Sequence, residues 1–301
     1  MKVASVLGAL AVLCSVGSVS SQPDRFSRFV AADFDADGHS DVVVVERSGN
    51  SRSRLMVGSA GASFKPLNGA PVHPIVRDLA VGDWDRDGVL DLVTIGDGVL
   101  RAHQVEGGNL HAISKTSLSS GWTDRVTVRE VDGALLVVVT EYDILPDQDV
   151  GTTTVRGFEV RAGTPEEVWA FEVKAHVGDL ALTEDGETTV LVLETGAGDE
   201  GGDILAYDVA GDPELTWAAR VTDGTRCLQV ESAAGEQNRI LFQAIDGRSH
   251  VYTVNTVGLQ YDYTRVDLDA LVSVIGSTGR PTSIHRLNTT RGQVMLSPLI
   301  R

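Results

Sequence analysis

The sequence predicts an all-β fold, and three observations support this prediction. Short apolar, β-branched stretches recur about every dozen residues, and turns rich in Gly, Asp and Asn separate them, as is typical of strands. Glycine is abundant, with 32 residues in a chain of 301, which suits many tight turns. No amphipathic helical pattern of convincing length occurs after residue 25. We therefore expect small sheets that stack on one another along the chain.

Two nine-residue segments share the pattern D-aromatic-D-x-D-G-x-x-D. They begin at Asp33 and Asp83, and each leads directly into an apolar stretch, residues 42–45 and 92–95. Carboxylates at positions 1, 3 and 5, with Gly at position 6 for the sharp turn, are what Ca²⁺ requires. Four aspartates this close repel one another unless a cation lies among them. The two copies therefore indicate a repeat that carries a metal site.

The residues after each loop distinguish it from an EF-hand. An EF-hand loop lies between helices and needs a bidentate Glu at position 12, whereas position 12 here is Val44 or Thr94. The last carboxylate stands instead at position 9, as Asp41 or Asp91. The β-branched residues that follow favour a buried strand. Each loop is therefore predicted to join two adjacent antiparallel strands.

The aromatic residue at position 2 indicates that each loop lies over a packed core. Phe34 and Trp84 are predicted to point away from the metal and to pack beneath the loop. An Asp-rich turn alone could be a solvated hairpin, because Asp and Gly are common turn residues. Two copies in register, each with the aromatic residue and the following strand, favour the metal site.

These segments resemble FG-GAP/VCBS repeats, the calcium-binding blades of integrin-α-type β-propellers. The resemblance covers residues 29–98, and within it residues 55–58 and Phe64 resemble the third and fourth strands of a blade. It implies that each loop joins the first two strands of a blade and holds one Ca²⁺, so that the chain has two calcium sites. The implied ligands are the side chains of Asp33, Asp35, Asp37, Asp41, Asp83, Asp85, Asp87 and Asp91, with the backbone carbonyls of His39 and Val89.

The rest of the chain continues the repeat without its acidic ligands. First strands are predicted to begin near residues 29, 79, 126, 179, 227 and 271. Because such sheets bury their faces only by stacking on neighbours, we expect a β-propeller of about six four-stranded blades, or seven if two units are merged. Residues 131–133 keep only a turn. The last unit has room for three strands, so its blade is incomplete. The sequence therefore does not predict how the ring of blades closes.

The N-terminus is predicted to be an export signal, residues 1–20, followed by the propeller domain, residues 21–301. A short positive start and an apolar run precede small residues suited to cleavage near Ser20. The apolar run is too short for a stable membrane span. Leu13 before Cys14 argues against a lipid anchor. The mature protein is therefore expected to be secreted or extracytoplasmic, where Ca²⁺ can fill sites of modest affinity.

Charge and motif content narrow the function. The chain has 42 acidic and 25 basic residues, and its formal net charge of −17 argues against binding to nucleic acid or anionic lipid. It contains no G-x-S-x-G, H-E-x-x-H or P-loop pattern, and its histidines show no metal-ligand spacing. We therefore predict that the protein is not an enzyme.

Three function classes remain open. The first is a calcium-stabilised, non-catalytic module for adhesion or scaffolding that binds a protein or surface ligand, as the resemblance to integrin-α heads implies. The second is a lectin-like carbohydrate-binding propeller, which would need exposed aromatic rings; the tryptophans outside the loops are Trp122, Trp169 and Trp217. The third is a polysaccharide lyase on a propeller scaffold, which would need bases and cations in the central channel. Fold alone does not decide among them.

Overall fold

The computed structural model describes the chain as a series of antiparallel sheets. The described residues are 11–12, 26–35, 41–47, 53–59, 65–69, 75–118, 122–143, 151–184, 188–195, 202–221, 225–231, 239–244, 248–255, 258–266, 270–275, 281–290 and 293–298. Within these ranges strands, turns and bends account for the regular structure, and helices are absent. Accordingly, none of the described segments forms an apolar helix of membrane-spanning length.

The first thirteen strands form sheets 1 to 3. Sheet 1 contains β1 (Ala11–Val12), β2 (Phe26–Ala32), β3 (Asp41–Arg47), β4 (Ser53–Ser59) and β5 (Lys65–Pro66). Sheet 2 contains β6 (Asp78–Gly82), β7 (Asp91–Gly96), β8 (Val99–Glu106) and β9 (Asn109–Ser117). Sheet 3 contains β10 (Trp122–Val131), β11 (Ala134–Asp143), β12 (Thr152–Arg161) and β13 (Thr164–Val173).

The remaining strands form three further sheets. Sheet 4 contains β14 (His176–Glu184), β15 (Thr188–Thr195), β16 (Asp203–Asp208) and β17 (Glu214–Arg220). Sheet 5 contains β18 (Thr225–Glu231), β19 (Arg239–Ala244), β20 (Arg248–Asn255) and β21 (Gly258–Val266). Sheet 6 contains β22 (Ala270–Ile275), β23 (Pro281–Thr290) and β24 (Gln293–Pro298). In every sheet the spatial order follows the chain order, so each sheet is an antiparallel meander.

Burial falls from the first two strands of a sheet to its last strand. Every residue of β6 and β7 is buried, whereas β17 has no buried position. The strands β2, β6, β10, β14, β18 and β22 contact one another in that order, and β22 also contacts β2. Small meanders whose first strands meet around an axis form a β-propeller, and four of its sheets, sheets 2 to 5, have four strands each.

Apolar clusters fill the spaces between successive sheets. One cluster joins sheets 1 and 2 and includes Phe34, and the next joins sheets 2 and 3 and includes Trp84. Two further clusters join sheets 3 and 4 and sheets 4 and 5. Both loop aromatics are 1% exposed, which confirms that position 2 points into the core. The stacking explains why β7 and β11 read as nearly continuous apolar runs: both of their faces are covered.

The predicted first strands all exist, but several begin earlier than predicted. β10 begins at Trp122 and not near residue 126, and β14 begins at His176 and not near residue 179. In both strands a register shift follows the first two residues, between Thr123 and Val126 in β10 and between Val177 and Asp179 in β14. Such a bulge breaks the alternation from which a strand is recognised in sequence. Sheet 6 has the three strands that were expected of the last unit.

One strand lies where the sequence predicts none. β1 falls inside the predicted export signal and pairs with the edge of β2, where Ala11 lies opposite Ala31 and Val12 opposite Val30. An apolar segment can cover the open edge of a strand through backbone hydrogen bonds, and such pairing does not depend on whether the segment is later cleaved. The export signal and its cleavage near Ser20 stay predictions.

Candidate functional site

The second acidic loop joins the first two strands of sheet 2. β6 ends at Gly82, β7 begins at Asp91, and these two residues lie opposite each other in the sheet. The loop therefore starts and ends at one point, which brings its first and last aspartates together. Oxygen atoms of Asp83, Asp85 and Asp91 all lie within 4.8 Å of one another. Three of the four carboxylates predicted for this loop thus converge.

Hydrogen bonds from the backbone fix all three carboxylates, and the N–H of Asp87 donates to Asp85 Oδ1 at 3.2 Å. The N–H of Gly88 donates to Asp83 Oδ2 at 3.0 Å, and the N–H of Trp84 donates to Asp91 Oδ2 at 2.8 Å. Asp83 Oδ1 is buried and accepts no hydrogen bond from the described residues. Leaving a buried carboxylate oxygen without a partner is costly unless a cation completes its surroundings. The orphaned oxygen, within a group of three carboxylates, is what a site for a hard cation would present.

Asp87 stands apart from the other three aspartates of the loop. Its Oδ1 accepts from the N–H of Val89 at 2.8 Å, and its Oδ2 accepts from Gln104 Nε2 at 3.3 Å. These contacts turn the carboxylate towards β8 and leave it outside the convergent group. The structure thus brings together three of the predicted side-chain ligands and places the fourth beside them, while the predicted Val89 carbonyl stays a prediction.

Burial and mutual repulsion disfavour ionisation of the loop carboxylates. Burial first, and then the charges of Asp85, Asp87 and Asp83, raise the pKa of Asp91 to about 7 against the hydrogen bond from Trp84. Burial also raises the pKa of Asp83. A divalent cation would reverse this balance, because an opposite charge nearby favours the ionised form. The loop is therefore an electrostatically strained group of acids when no cation lies among them.

The loop backbone contains two residues with positive φ. Gly88, at position 6, has φ of 88°, and the space where a side chain would start is open, so the backbone conformation alone selects glycine. Arg86, at position 4, has φ of 65°, which is uncommon for a residue other than glycine. The sharp turn expected at position 6 is thus present.

The loop is anchored to the neighbouring sheet. Trp84 Nε1 donates a hydrogen bond of 2.8 Å to the carbonyl oxygen of Gly163, in the turn between β12 and β13. The indole ring lies in the apolar cluster between sheets 2 and 3. A change in the loop is therefore transmitted directly to sheet 3.

The first loop has the same framework where it is described. Asp41 lies opposite Ala32, as Asp91 lies opposite Gly82. Asp33 is buried and Asp35 is exposed, matching the trend along the second loop. The predicted ligands Asp37 and His39 lie outside the described residues.

Comparison with known families identifies this segment. Residues 33–94 match the family model described as an FG-GAP-like repeat. The chain carries an FG-GAP-like repeat. The matched residues begin at the first aspartate of the first loop and extend past Asp91, so both acidic loops lie within the repeat. This confirms the resemblance seen in the sequence. No match is found among curated proteins.

Solved structures share the propeller fold at low sequence identity. The structure of BBS1N in complex with ARL6DN, soaked with lead, has a TM-score of 0.53 and 13% identity, covering 99% of this chain and 98% of that chain. A chain of the mitotic checkpoint complex has a TM-score of 0.51 and 15% identity, covering 92% and 85%. A structure provisionally described as a 6-phosphogluconolactonase from Bacteroides uniformis has a TM-score of 0.49 and 13% identity, covering 90% and 100%. The first two likenesses show the fold alone, and the third is too distant to carry an argument.

Outside the FG-GAP-like loops, a second group of charges lies where the inner strands begin. The inner strands are those that contact one another around the axis of the propeller, namely β2, β6, β10, β14, β18 and β22. Arg28 Nε on β2 is 3.4 Å from Asp78 Oδ1 on β6, and Arg125 Nε on β10 is 4.0 Å from Asp179 Oδ1 on β14. Asp78 Oδ2 also accepts from the N–H of Val126 at 3.1 Å. The four charges alternate in sign from sheet 1 to sheet 4, and we call Arg28, Asp78, Arg125 and Asp179 the ionic ring.

The inner strands run in the same direction around the propeller. Asp78, at the start of β6, contacts β10 near Val126, and Gly82, at the end of β6, lies against Val128. Further along the ring, Arg129 Nη1 donates to the carbonyl of Leu182 at 2.9 Å. The beginnings of these strands therefore share one face, and the FG-GAP-like loop lies on the other. The five residues of β6 put about 16 Å between the two faces.

A partly exposed cluster occupies the face opposite the loop. Trp122 is 65% exposed, with the guanidinium carbon of Arg77 5.2 Å from the centre of its ring. His176 Nε2 lies 3.2 Å from Asp124 Oδ2, and the His176 ring packs edge-on against Tyr142 at 4.9 Å between centroids. We call Arg77, Trp122, Asp124, Tyr142 and His176 the mouth cluster. The sequence does not determine the placement of Trp122 and does not mark Asp124 or the pairing within the ionic ring, because only the packing of separate sheets brings these residues together.

Proposed function

We propose that this chain is a secreted, calcium-stabilised β-propeller of six blades that acts as a non-catalytic ligand-binding module for adhesion or scaffolding. The observation that carries the proposal is the convergence of Asp83, Asp85 and Asp91, together with the buried Oδ1 of Asp83 that accepts no hydrogen bond from the described residues. Contact between β22 and β2, which would close a ring of six sheets, supports the number of blades.

Calcium fits the donor set better than the other common divalent cations. The convergent atoms are carboxylate oxygens, which suit Ca²⁺ or Mg²⁺ and lack the nitrogen or sulfur that Zn²⁺ favours. A loop of irregular backbone tolerates the variable coordination of Ca²⁺ better than the strict octahedron of Mg²⁺. Asp83, Asp85 and Asp91 would hold the ion, with Asp87 and the Val89 carbonyl as the further expected ligands.

A second ion is expected in the first loop. It would be held by Asp33, Asp35 and Asp41, which stand at the same positions of the repeat, together with Asp37 and the His39 carbonyl. Each ion would cross-link the end of an inner strand to the start of the next strand in the same sheet. The role of the metal is therefore to stabilise the first two blades.

Non-catalytic binding is favoured by what calcium offers chemically. Ca²⁺ is a weak Lewis acid compared with Zn²⁺, because its charge acts over longer bonds. Several carboxylates and a carbonyl would also fill most of its coordination shell. Propellers present broad faces on which loops and strand ends can form binding surfaces. The BBS1N relative was solved in complex with ARL6DN, so at least one protein of this fold binds a protein partner.

The ligand here is a protein or a glycan. One observation favours the lectin-like alternative, namely that Trp122 is 65% exposed at a strand end. The lyase alternative would need the charged groups of the channel to act on a substrate, yet Arg28 and Asp78 are buried and paired with each other. Arg125 is likewise held in ion pairs, with Asp179 and with Asp124. We therefore propose binding without catalysis.

Calorimetric titration of chelator-treated protein tests the calcium proposal. We expect about two Ca²⁺ ions per chain, with Mg²⁺ competing poorly. Asp85→Ala should remove one ion, whereas Asp97→Asn, an exposed aspartate in the turn after β7, should remove none. A stoichiometry of zero would overturn the proposal. Mass analysis of protein collected from the medium tests export, and the expected chain begins close to Ser20.

A further inference from the structure

The mouth cluster contains the one tryptophan that the fold leaves exposed in the described part of the chain. Trp84 and Trp169 are 1% and 9% exposed, and Trp217 packs partly buried against an apolar cluster. Trp122, in contrast, is 65% exposed. An indole ring in water lacks the free energy that burial would give, so a ligand that covered this ring would gain it.

The exposed ring is held in place. The Arg77 guanidinium lies over it at 5.2 Å, within the range of a cation–π contact. Arg77 itself is fixed at its backbone, where its N–H donates to the carbonyl of Ile95 at 2.8 Å. A ring that is ordered before binding loses less conformational entropy when a ligand stacks on it.

Hydrogen-bonding groups are linked to the ring through Tyr142, which lies opposite Trp122 in the sheet and packs edge-on against His176. Asp124 lies two residues after Trp122 on β10 and pairs with His176 at 3.2 Å. Burial alone would raise the pKa of Asp124, but the hydrogen bond with His176 and the charge of Arg125 outweigh it and hold that pKa well below its usual range. The carboxylate therefore stays ionised as a hydrogen-bond acceptor, and the side chains of Asp124 and His176 remain 22% and 36% exposed.

Among the described residues of the ionic ring and the mouth cluster, the arginines and the aspartates are equal in number. The ionic ring contributes two arginines and two aspartates, and the mouth cluster adds Arg77 and Asp124. A phosphate, sulfate or uronate ligand would need an excess of positive charge, which this arrangement does not provide. The site therefore suits a ligand that is uncharged and rich in hydroxyl groups.

In the described part of the chain, Trp122 is the one large apolar side chain that is strongly exposed at the mouth. The other large hydrophobic side chains with high exposure in the described residues are Val168 and Leu215, which lie on the outer strands β13 and β17. Stable protein interfaces bury on the order of 1,200 Å² or more around an apolar centre. A single stacking ring beside a hydrogen-bonding pair instead matches the alternating apolar and hydroxyl surfaces of a sugar.

We propose that the mouth cluster binds a neutral carbohydrate chain, with Trp122 as the stacking surface and Asp124 and His176 as the hydrogen-bonding pair. The indole ring accepts the C–H face of one sugar unit, and the Asp124 carboxylate accepts hydrogen bonds from its hydroxyl groups. This inference rests on the proposed ligand-binding function and names the class of its ligand.

Titration of the full chain with soluble oligosaccharides tests the proposal. The probes are mannohexaose, cellohexaose and chitohexaose, with hexagalacturonate as the anionic counterpart, and the readouts are tryptophan fluorescence and calorimetry. At least one neutral hexasaccharide should bind and protect Trp122 from a collisional quencher. Trp122→Ala should weaken binding by about tenfold or more, as expected for removal of an aromatic anchor.

Three further variants locate the site. Trp122→Phe should restore part of the affinity because it restores a flat ring. Asp124→Asn should weaken binding while keeping the size of the side chain. Leu215→Ala, at an apolar residue on β17 that is 49% exposed, should leave binding unchanged. Melting temperatures in Ca²⁺ should be nearly equal for wild type and Trp122→Ala, which separates lost binding from lost fold.

The outcomes separate this inference from the proposed function. The inference is overturned if no neutral hexasaccharide binds, if Trp122→Ala binds as well as wild type, or if hexagalacturonate binds best. A protein partner that needs Trp122 in the absence of sugar binding would also overturn it, but would leave the ligand-binding function intact. Absence of calcium binding in the same preparations would instead count against the proposed calcium-stabilised module.

Discussion

Lowering the pH from 8 to 6 should weaken calcium binding at the second loop, because Asp91 must lose a proton before it can act as a ligand. In the metal-free structure burial, reinforced by the charges of Asp85, Asp87 and Asp83, raises the pKa of Asp91 to about 7. Calcium binds only the ionised carboxylate, so binding and deprotonation are coupled. The pH range in which this coupling acts is set by the burial of one side chain, which is 1% exposed.

The size of the effect follows from the pKa of Asp91. With a pKa of about 7, roughly nine-tenths of the carboxyl groups are protonated at pH 6 and about one-tenth at pH 8. Each Ca²⁺ ion that binds at the second loop should therefore release close to one proton at pH 6 and only about one-tenth of a proton at pH 8. The apparent dissociation constant should rise about tenfold over this range.

Calorimetry at matched pH in buffers of different ionisation enthalpy measures the released protons directly. The Asp35→Ala variant is the background of choice, because it is expected to remove calcium binding at the first loop. Asp91→Asn in that background should bind Ca²⁺ more weakly and lose the pH dependence. Asp97→Asn changes an exposed aspartate in the same sheet and should retain it. Equal affinity at pH 6 and pH 8, with no dependence of the heat on the buffer, would refute the reasoning.

The same pKa predicts opposite pH trends of stability with and without metal. Folding raises the pKa of Asp91 from its ordinary value near 4 to about 7, so the folded state binds this proton more tightly than the unfolded state does. The resulting contribution to stability is fully present below about pH 4 and is lost as the pH rises through about 7. In chelator, the melting temperature should therefore fall between pH 4 and pH 7 as Asp91 ionises. In saturating Ca²⁺ the ion favours the charged form, and that fall should be absent or reversed.

Three further predictions concern the stability of the blades. Asp85→Ala should lower the melting temperature in Ca²⁺ and change it little in chelator, since an ion at one hundred times its dissociation constant contributes about 2.7 kcal/mol; equal losses in both conditions would make the aspartate a turn residue only. Arg28→Ala and Asp78→Ala in a double-mutant cycle should show a coupling of at least about 1 kcal/mol in urea unfolding, and additive effects would mean that their 3.4 Å contact contributes nothing. Gly157→Ala should destabilise by about 1–3 kcal/mol, because the added methyl group would overlap the Trp169 ring, and an unchanged unfolding midpoint would contradict this packing.

The parts of the fold that were predictable from sequence are those that local chemistry specifies. The acidic loops could be recognised because nine consecutive residues carry the whole pattern, and the structure places the first between β2 and β3 and the second between β6 and β7. The buried position of Trp84 followed from its alternation with the aspartates. The turn at residues 131–133 was predicted to remain without its ligands, and Asp132 and Gly133 form it with positive φ at both positions.

The ionic ring was not predictable in the same way. Arg28 and Asp78 stand at matching positions of two repeats, each five residues before the first aspartate of its loop. Their opposite charges form an ion pair only because sheets 1 and 2 pack side by side. No local pattern marks Arg125 or Asp179 as their continuation, because a bulge shifts the register at the start of β10 and β14. Pairing across sheets is a property of the closed packing and not of any one segment.

The convergence of Asp83, Asp85 and Asp91 without Asp87 also lay beyond the sequence pattern. The spacing in the sequence predicts four equivalent ligands. In the structure the four carboxylates differ in the other groups to which they are hydrogen-bonded. Asp87 alone lies beside Gln104 of β8 and accepts a hydrogen bond from it. A residue of the adjacent strand, distant in sequence, thus competes with the metal for one predicted ligand.

The two faces of the propeller are connected through β6. Its last residue, Gly82, precedes the metal loop and lies against Val128, and its first residue, Asp78, belongs to the ionic ring next to the mouth cluster. A strand of five fully buried residues, held at both ends, moves as a rigid unit or not at all. Calcium at the loop can therefore affect a ligand at the mouth only by keeping β6 and β10 in register. It follows that removing Ca²⁺ should weaken binding at Trp122 only under conditions in which sheet 2 also loosens, as hydrogen exchange of the β6 amides would reveal.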